Sequence, residues 1–429
     1  MNKIANISVT RGFQIFQLLR FSSLLFTGIL LSKSNIAIEE IGVYEGLIFI
    51  SGAVSFFWVN GILNGLLSQY KKEEANKDVY FFNTSLLLIF MSVLLILILM
   101  VFNQTIEQFL PNTSPTIYRL MLIYIFLNNP TFLIEHIFLL KENTNGLLIY
   151  GALHNLAYVT AVMFPVWLGW EIEYIFCGLI LLSILKNIYL CILIYQENVF
   201  QINGKIMKDM LIFSTPLIFS FALAGSAEYI DGLLVSSHFG SDQFAIFRYG
   251  ARELPFAVLL SSSLSSSFIP RLSQHNLNSE LSNLKAESLK LMNLLFPITI
   301  LLIYFSSWLY PIIFRAEFIA SAPIFNTYLL LLVSRVLFPQ TLVLAAGKTK
   351  TIMQIAILEL IINFTCSYIL MLEYGIIGIA IGTLVAFYTE KMALIFFVKK
   401  NLKVSLTEYL SVNRWLIYSL LLYLVYFLT

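Results

Sequence analysis

Apolar runs of about 20 residues follow one another along nearly the whole chain, and no other feature limits the fold so severely. A helix of that length crosses the hydrocarbon core of a bilayer, about 30 Å at 1.5 Å per residue. Strands of a membrane barrel are about 10 residues long and alternate apolar with polar side chains, and these runs do not alternate. Charge agrees with this reading. Only 12% of the 429 residues are charged, about half the share of a soluble protein, so there is too little polar surface to face water. Hydropathy places spans at 12–32, 46–68, 80–102, 117–139, 147–169, 174–195, 210–237, 244–269, 288–313, 321–345, 351–372 and 375–397, with a further run at 412–428. The expected fold is an all-α integral membrane protein of twelve transmembrane helices, plus a thirteenth C-terminal apolar helix that either crosses or lies along the interface. The run 12–32 is longer than the core of a signal peptide and lacks a small-residue cleavage site, so it is expected to remain a membrane helix.

Basic residues orient these spans, because lysine and arginine stay in cytoplasmic loops. Of the 26 basic residues, Arg20, Lys186, Arg248, Arg252, Arg335 and Lys391 lie within apolar runs. Only Lys33, Arg119 and Arg315 fall in the loops opposite the N-terminus, leaving seventeen on its own side. The N-terminus is therefore expected in the cytoplasm. The linker QENVFQINGKIMKD, 196–209, separates two sets of six spans that share one orientation, as a parallel repeat would. The expected domains are an N-terminal lobe (1–195), a cytoplasmic linker (196–209), a C-terminal lobe (210–400) and an additional helix (411–429).

Several functions are disfavoured. A net charge of +2 gives no sign of a nucleic-acid partner. Cys177, Cys191 and Cys366 lie in apolar runs and suggest no disulfide framework, and no histidine shares zinc-site spacing with cysteine or acid. Gly347-Lys348-Thr349 ends like a phosphate-binding loop, but Leu342 stands where that motif needs glycine, so ATP hydrolysis by this route is not expected. No metal or cofactor is expected. Glu171 and Glu173 are the only acids placed for catalysis in an outer turn, and a solvated turn explains them more simply.

Ionisable residues inside the spans are the candidate functional groups, since each costs at least about 2.5 kcal/mol without a partner or a polar cavity. Helix rise puts Asp231 and Glu228 at depths of about 9 and 14 Å in the seventh span, and Arg248 and Arg252 at about 6 and 12 Å in the eighth. Two readings follow. Asp231–Arg248 and Glu228–Arg252 form a two-rung ion-pair ladder, or one arginine, preferably Arg252, stays available for a phosphate, which its planar fork suits. Arg20 lies about 12 Å from the surface, too deep to snorkel easily, and needs a cavity, a partner from another helix or a ligand. Arg335 is expected to pair with Glu359. Glu390 would pair with Arg335 or hold a coupling cation. Glu135, His136 and His154 form either a hydrogen-bonded cluster or a proton relay. Lys186 has no evident partner.

Four stretches together carry a family resemblance. They are IEEIGVYEGLIFISGAVSFFWVNGILNGLLSQYKKEE (38–74), TPLIFSFALAGSAEYIDGLLVSSHFGSDQFAIFRYGARELP (215–255), LAAGKTK (344–350) and YGIIGIAIGTLVAFYTEK (374–391). In order and spacing they resemble the polysaccharide flippases of the multidrug/oligosaccharidyl-lipid/polysaccharide exporter superfamily, the O-antigen and capsule repeat-unit transporters. The resemblance implies two six-helix lobes around a central cavity. It implies transfer of a polyprenyl-diphosphate-linked glycan between leaflets of a bacterial plasma membrane by alternating access. It also implies Arg20 as a substrate contact, to which the depth reading adds Arg252 and Arg248; a monomer and association with a polymerase and a chain-length regulator are expected. The alternatives are a cation-coupled multidrug antiporter of the same superfamily, which favours an acid-rich cavity, and a membrane glycosyltransferase or polymerase.

Overall fold

Helices account for nearly every element of the computed structural model, which describes residues 9–70, 77–104, 109, 113–196, 200–252, 255–274 and 277–429. The long helices are α1 (Val9–Ser32), α2 (Ile38–Tyr70), α3 (Lys77–Val101), α4 (Pro115–Asn128), α5 (Leu133–Leu140), α6 (Thr144–Trp167), α7 (Glu173–Tyr195) and α8 (Gly204–His238). They are followed by α9 (Ser241–Gly250), α10 (Pro255–Gln274), α11 (Leu277–Ile313), α12 (Ser321–Leu329), α13 (Leu332–Arg335), α14 (Pro339–Ala345), α15 (Thr349–Phe397), α16 (Leu406–Tyr409) and α17 (Val412–Leu428). Helices dominate because lipid offers the backbone no hydrogen bonds, so each segment must satisfy its own.

Ten stretches of the described residues are long and apolar enough to cross a membrane. This differs from the twelve expected for two physical reasons. The spans 351–372 and 375–397 belong to one element, α15, whose two arms meet at Gly375 (φ 60°, ψ −139°), a conformation open essentially to glycine alone. The arms fold back on each other. A Cβ on Gly378 would collide with the Leu370 carbonyl, and one on Gly382 with the Ser367 backbone. The expected span 244–269, in contrast, is divided into α9 and α10.

The chain forms two compact units: Met1–Gly225 with Phe239–Ala245, and Ser226–His238 with Ile246–Thr429. The division falls inside α8 and not in the linker 196–209. The first half of α8 belongs with the first unit because two glycines of α2 let it approach closely, Gly61 beside Ile218 and Gly65 beside Ser214. Small residues at such contacts are the usual basis of helix association in lipid, where packing replaces the hydrophobic effect. The core of the first unit gathers Phe16, Trp58, Ile62, Leu66, Phe81, Leu133, Ile137 and Met210. In the second unit Tyr249 is fully buried against Phe314 and Phe318, and Tyr310 Oη donates to its carbonyl at 2.9 Å.

In the second unit α17 runs beside α11 and in the same direction. Tyr418 stacks on Phe296 and bonds Asn293 Oδ1 at 2.9 Å, while Thr429 lies with Tyr304 and Trp308. Its 17 residues reach about 25 Å. Trp415 Nε1 donates to the Val333 carbonyl at 3.0 Å, at the foot of the interrupted run α12–α13. Trp415→Phe keeps the ring and deletes that donor. It is expected to destabilise the protein by about 1 kcal/mol, read as a lower thermal midpoint of the detergent-solubilised protein.

Candidate functional site

Interrupted helices hold the buried charges. In the first unit Asn128-Asn129-Pro130 ends α4, because proline brings no N–H to the helix ladder. One 3-10 turn, Asn129–Phe132, then leads into α5. The carbonyls this frees are taken up by side chains. Asn187 Nδ2 of α7 donates to Leu127 O at 2.6 Å, and Thr131 Oγ1 donates to Asn128 O at 2.6 Å. Non-helical backbone at membrane depth is tolerated where protein groups satisfy it in this way.

The turn brings Phe132 close to two basic side chains. The guanidinium of Arg20, from α1, lies 5.4 Å from the ring centroid, and Lys186 Nζ, from α7, lies 5.8 Å from it. Arg20 also faces Phe16 at 5.2 Å. Lys186 is only 9% exposed, and its Nζ donates to Asn128 Oδ1 at 2.9 Å. Glu135, one step into α5 and 5% exposed, brings Oε2 within 3.1 Å of Arg20 Nη2. His136 Nδ1 lies 3.0 Å from the Phe132 carbonyl, which can only accept, so that nitrogen carries a proton. His154 stacks on Tyr150, with centroids 5.7 Å apart. Two basic side chains thus lie near one aromatic ring, and one carboxylate pairs with Arg20. Burying a charge in excess is strongly unfavourable unless an anion completes the set, so the arrangement suits an anionic ligand.

In the second unit Asp231 of α8 is 3% exposed. Its Oδ2 accepts from Tyr328 Oη of α12 at 2.5 Å and from Thr383 Oγ1 of α15 at 2.5 Å. Its Oδ1 has no hydrogen-bond partner among the described residues. Asn363 Nδ2 lies 3.4 Å from Thr383 Oγ1, and Ser367 Oγ donates to Ile379 O at 3.1 Å. Two hydroxyls thus hold one buried carboxyl, whose remaining oxygen suits a proton or a hard cation and not zinc or copper. Among the described residues no three His, Cys, Asp or Glu side chains cluster as metal ligands.

The sequence pattern of the polysaccharide biosynthesis protein family matches residues 35–276, more than half of the chain. The chain belongs to that family. Solved structures agree on the fold. A lipid II flippase, MurJ, in an inward closed conformation matches with a TM-score of 0.71 at 18% identity, over 96% of this chain and 97% of its own. An inward-facing multidrug resistance MATE family transporter matches at 0.59 and 13% identity, over 90% and 99%. A transporter from Pyrococcus furiosus, described by a binding pocket of reversed polarity, matches at 0.56 and 13%, over 92% and 96%. The fold is the one these solved transporters share, and ten stretches of the described residues are long and apolar enough to cross a membrane. No curated protein matches the chain by sequence.

Within this polysaccharide biosynthesis family member, several sequence expectations meet different partners. Arg20 finds its partner on another helix, Glu135. In place of the expected Asp231–Arg248 rung, Asp231 Oδ2 takes the Tyr328 and Thr383 hydroxyls, since equal depth in two helices does not fix which way each side chain faces. The Glu228 side chain, and with it the second rung, lies outside the described residues. Arg252 Nε donates to the Arg248 carbonyl at 3.1 Å and its guanidinium covers Tyr249 at 5.2 Å, so part of its donor set closes its own helix end. Glu390 pairs with its neighbour Lys391 at 2.8 Å instead of Arg335, whose guanidinium lies over Phe387 at 5.0 Å. Glu359 has Glu390, Lys391, Arg335 and Asp231 as charged neighbours. The expected Glu135–His136–His154 cluster is not continuous: Glu135 turns to Arg20, and His154 turns to Tyr150. Sequence reasoning missed Lys186 as a partner of the Asn128 turn, although Asn-Asn-Pro is a recognisable break signal.

Proposed function

We propose that the protein flips polyprenyl-diphosphate-linked oligosaccharide repeat units from the cytoplasmic to the outer leaflet of a bacterial plasma membrane, for surface polysaccharide assembly. The observation that carries this reading is the Arg20–Phe132–Lys186 arrangement, two basic side chains about one ring with Glu135 paired to Arg20. A diphosphate supplies the missing negative charge and offers planar arginine paired acceptor oxygens. Family membership supports the same cargo, since the chain belongs among polysaccharide biosynthesis proteins. Arg20 and Lys186 would hold the diphosphate in the first unit; Arg248 and Arg252, in the second unit, are proposed as cargo contacts in their own right. Transfer would follow alternating access, with the N-terminus in the cytoplasm.

A host lacking its own repeat-unit flippase tests the reading. Expression of this protein is expected to restore surface polysaccharide and leave tolerance to cationic drugs unchanged. Altered drug tolerance with no glycan restored would identify a multidrug antiporter instead.

A further inference from the structure

The contact between Arg20 and Glu135 is close but unaligned. Nη2 and Oε2 are 3.1 Å apart, yet Oε2 accepts no hydrogen bond of good geometry among the described residues. A carboxylate 5% exposed normally gathers several aligned donors, so Glu135 is under-satisfied where it stands. Its other oxygen, Oε1, lies 3.9 Å from His136 Nδ1, whose proton points to the Phe132 carbonyl. Lys186 differs in kind. Its amine is bonded to Asn128, and the next residue, Asn187, is bonded to the Leu127 carbonyl, so the lysine is anchored to the C-terminal end of α4.

We infer that Arg20 changes partners during transport: it rests on Glu135 when the site is empty and on a cargo phosphate when it is loaded. Lys186 is the fixed second contact for the diphosphate. This inference rests on the diphosphate reading above and adds a function for the acid, which is to compete with the cargo. Two cations with no internal counter-ion would hold a diphosphate tightly and release it slowly, since affinity differences at one site lie mostly in the off-rate. A carboxylate that returns to Arg20 lets the cargo leave.

The test uses the purified full chain in nanodiscs, with radiolabelled farnesyl diphosphate as the probe and scintillation proximity as the readout. Glu135→Gln is expected to tighten binding about tenfold, the scale of one close charge pair, and to lower turnover at saturating lipid. In an Arg20→Gln background the same substitution should leave affinity unchanged, because the pair is already gone. Unchanged or weaker binding by Glu135→Gln, or equal tightening in both backgrounds, overturns the exchange while leaving the cargo reading intact. Failure of the wild-type protein to bind farnesyl diphosphate overturns both. Should Glu135→Gln not fold, Glu135→Asp keeps the charge and draws it back by one methylene. It is then expected to tighten binding about threefold, and no change would overturn the inference.

Discussion

Arg20→Ala is expected to reduce export of lipid-linked oligosaccharide by about thirtyfold or more, the effect of removing one member of a desolvated charge pair on a bound anion. The same substitution leaves Glu135 buried without its cation, which destabilises a protein by about 3–5 kcal/mol. Loss of export alone would therefore confuse binding with folding. The double variant Arg20→Ala/Glu135→Gln separates them. It removes both charges, so the thermal midpoint should return most of the way to the wild-type value, while export stays low. Recovery of export together with stability would show that Arg20 serves only to neutralise Glu135. Surface-glycan restoration and detergent thermal unfolding, run on the same three proteins, read the two quantities.

The second large effect concerns the two arms of α15. Gly382 sits against the Ser367 backbone, and a Cβ there meets N and Cα, which belong to the opposite arm and cannot rotate away. Gly382→Ala is expected to cost about 1–3 kcal/mol as an overpacked contact. Gly382→Leu must force the arms apart and should abolish a monodisperse peak in size-exclusion chromatography. Because Thr383 is the next residue, separation of the arms also withdraws one of the two hydroxyls on Asp231. Gly204→Leu is the control, since a Cβ at Gly204 meets nothing within 4 Å. It should elute as the wild type does.

Span lengths and the Gly375 break were legible because hydropathy and a glycine-rich helix start are local signals. The charge partners were less so, for a physical reason. Depth arithmetic gives a residue's height along its helix but not its rotation about the helix axis, so Asp231 and Arg248 share a depth without facing each other. The Tyr328 and Thr383 hydroxyls that replace the arginine carry no charge, and in an apolar run they look like any other small polar residue. Arg20 and Glu135 lie 115 positions apart on helices not consecutive in the chain, and nothing in a single sequence links them. Lys186 was within reach. Asn-Asn-Pro announces freed carbonyls, and Lys186-Asn187 is the polar pair that answers them.

The divided segment α9–α10 has a consequence for biogenesis. Ten residues that include Asp242 and Arg248, followed by a helix rich in serine from Ser261 to Ser267, are a poor candidate for release from the translocon into lipid one piece at a time. Such a segment has to wait beside the channel until later helices arrive to shelter it. During that wait the nascent chain is open to quality-control proteases. Substitutions in the sheltering helices would then lower cellular abundance before any effect on transport is felt.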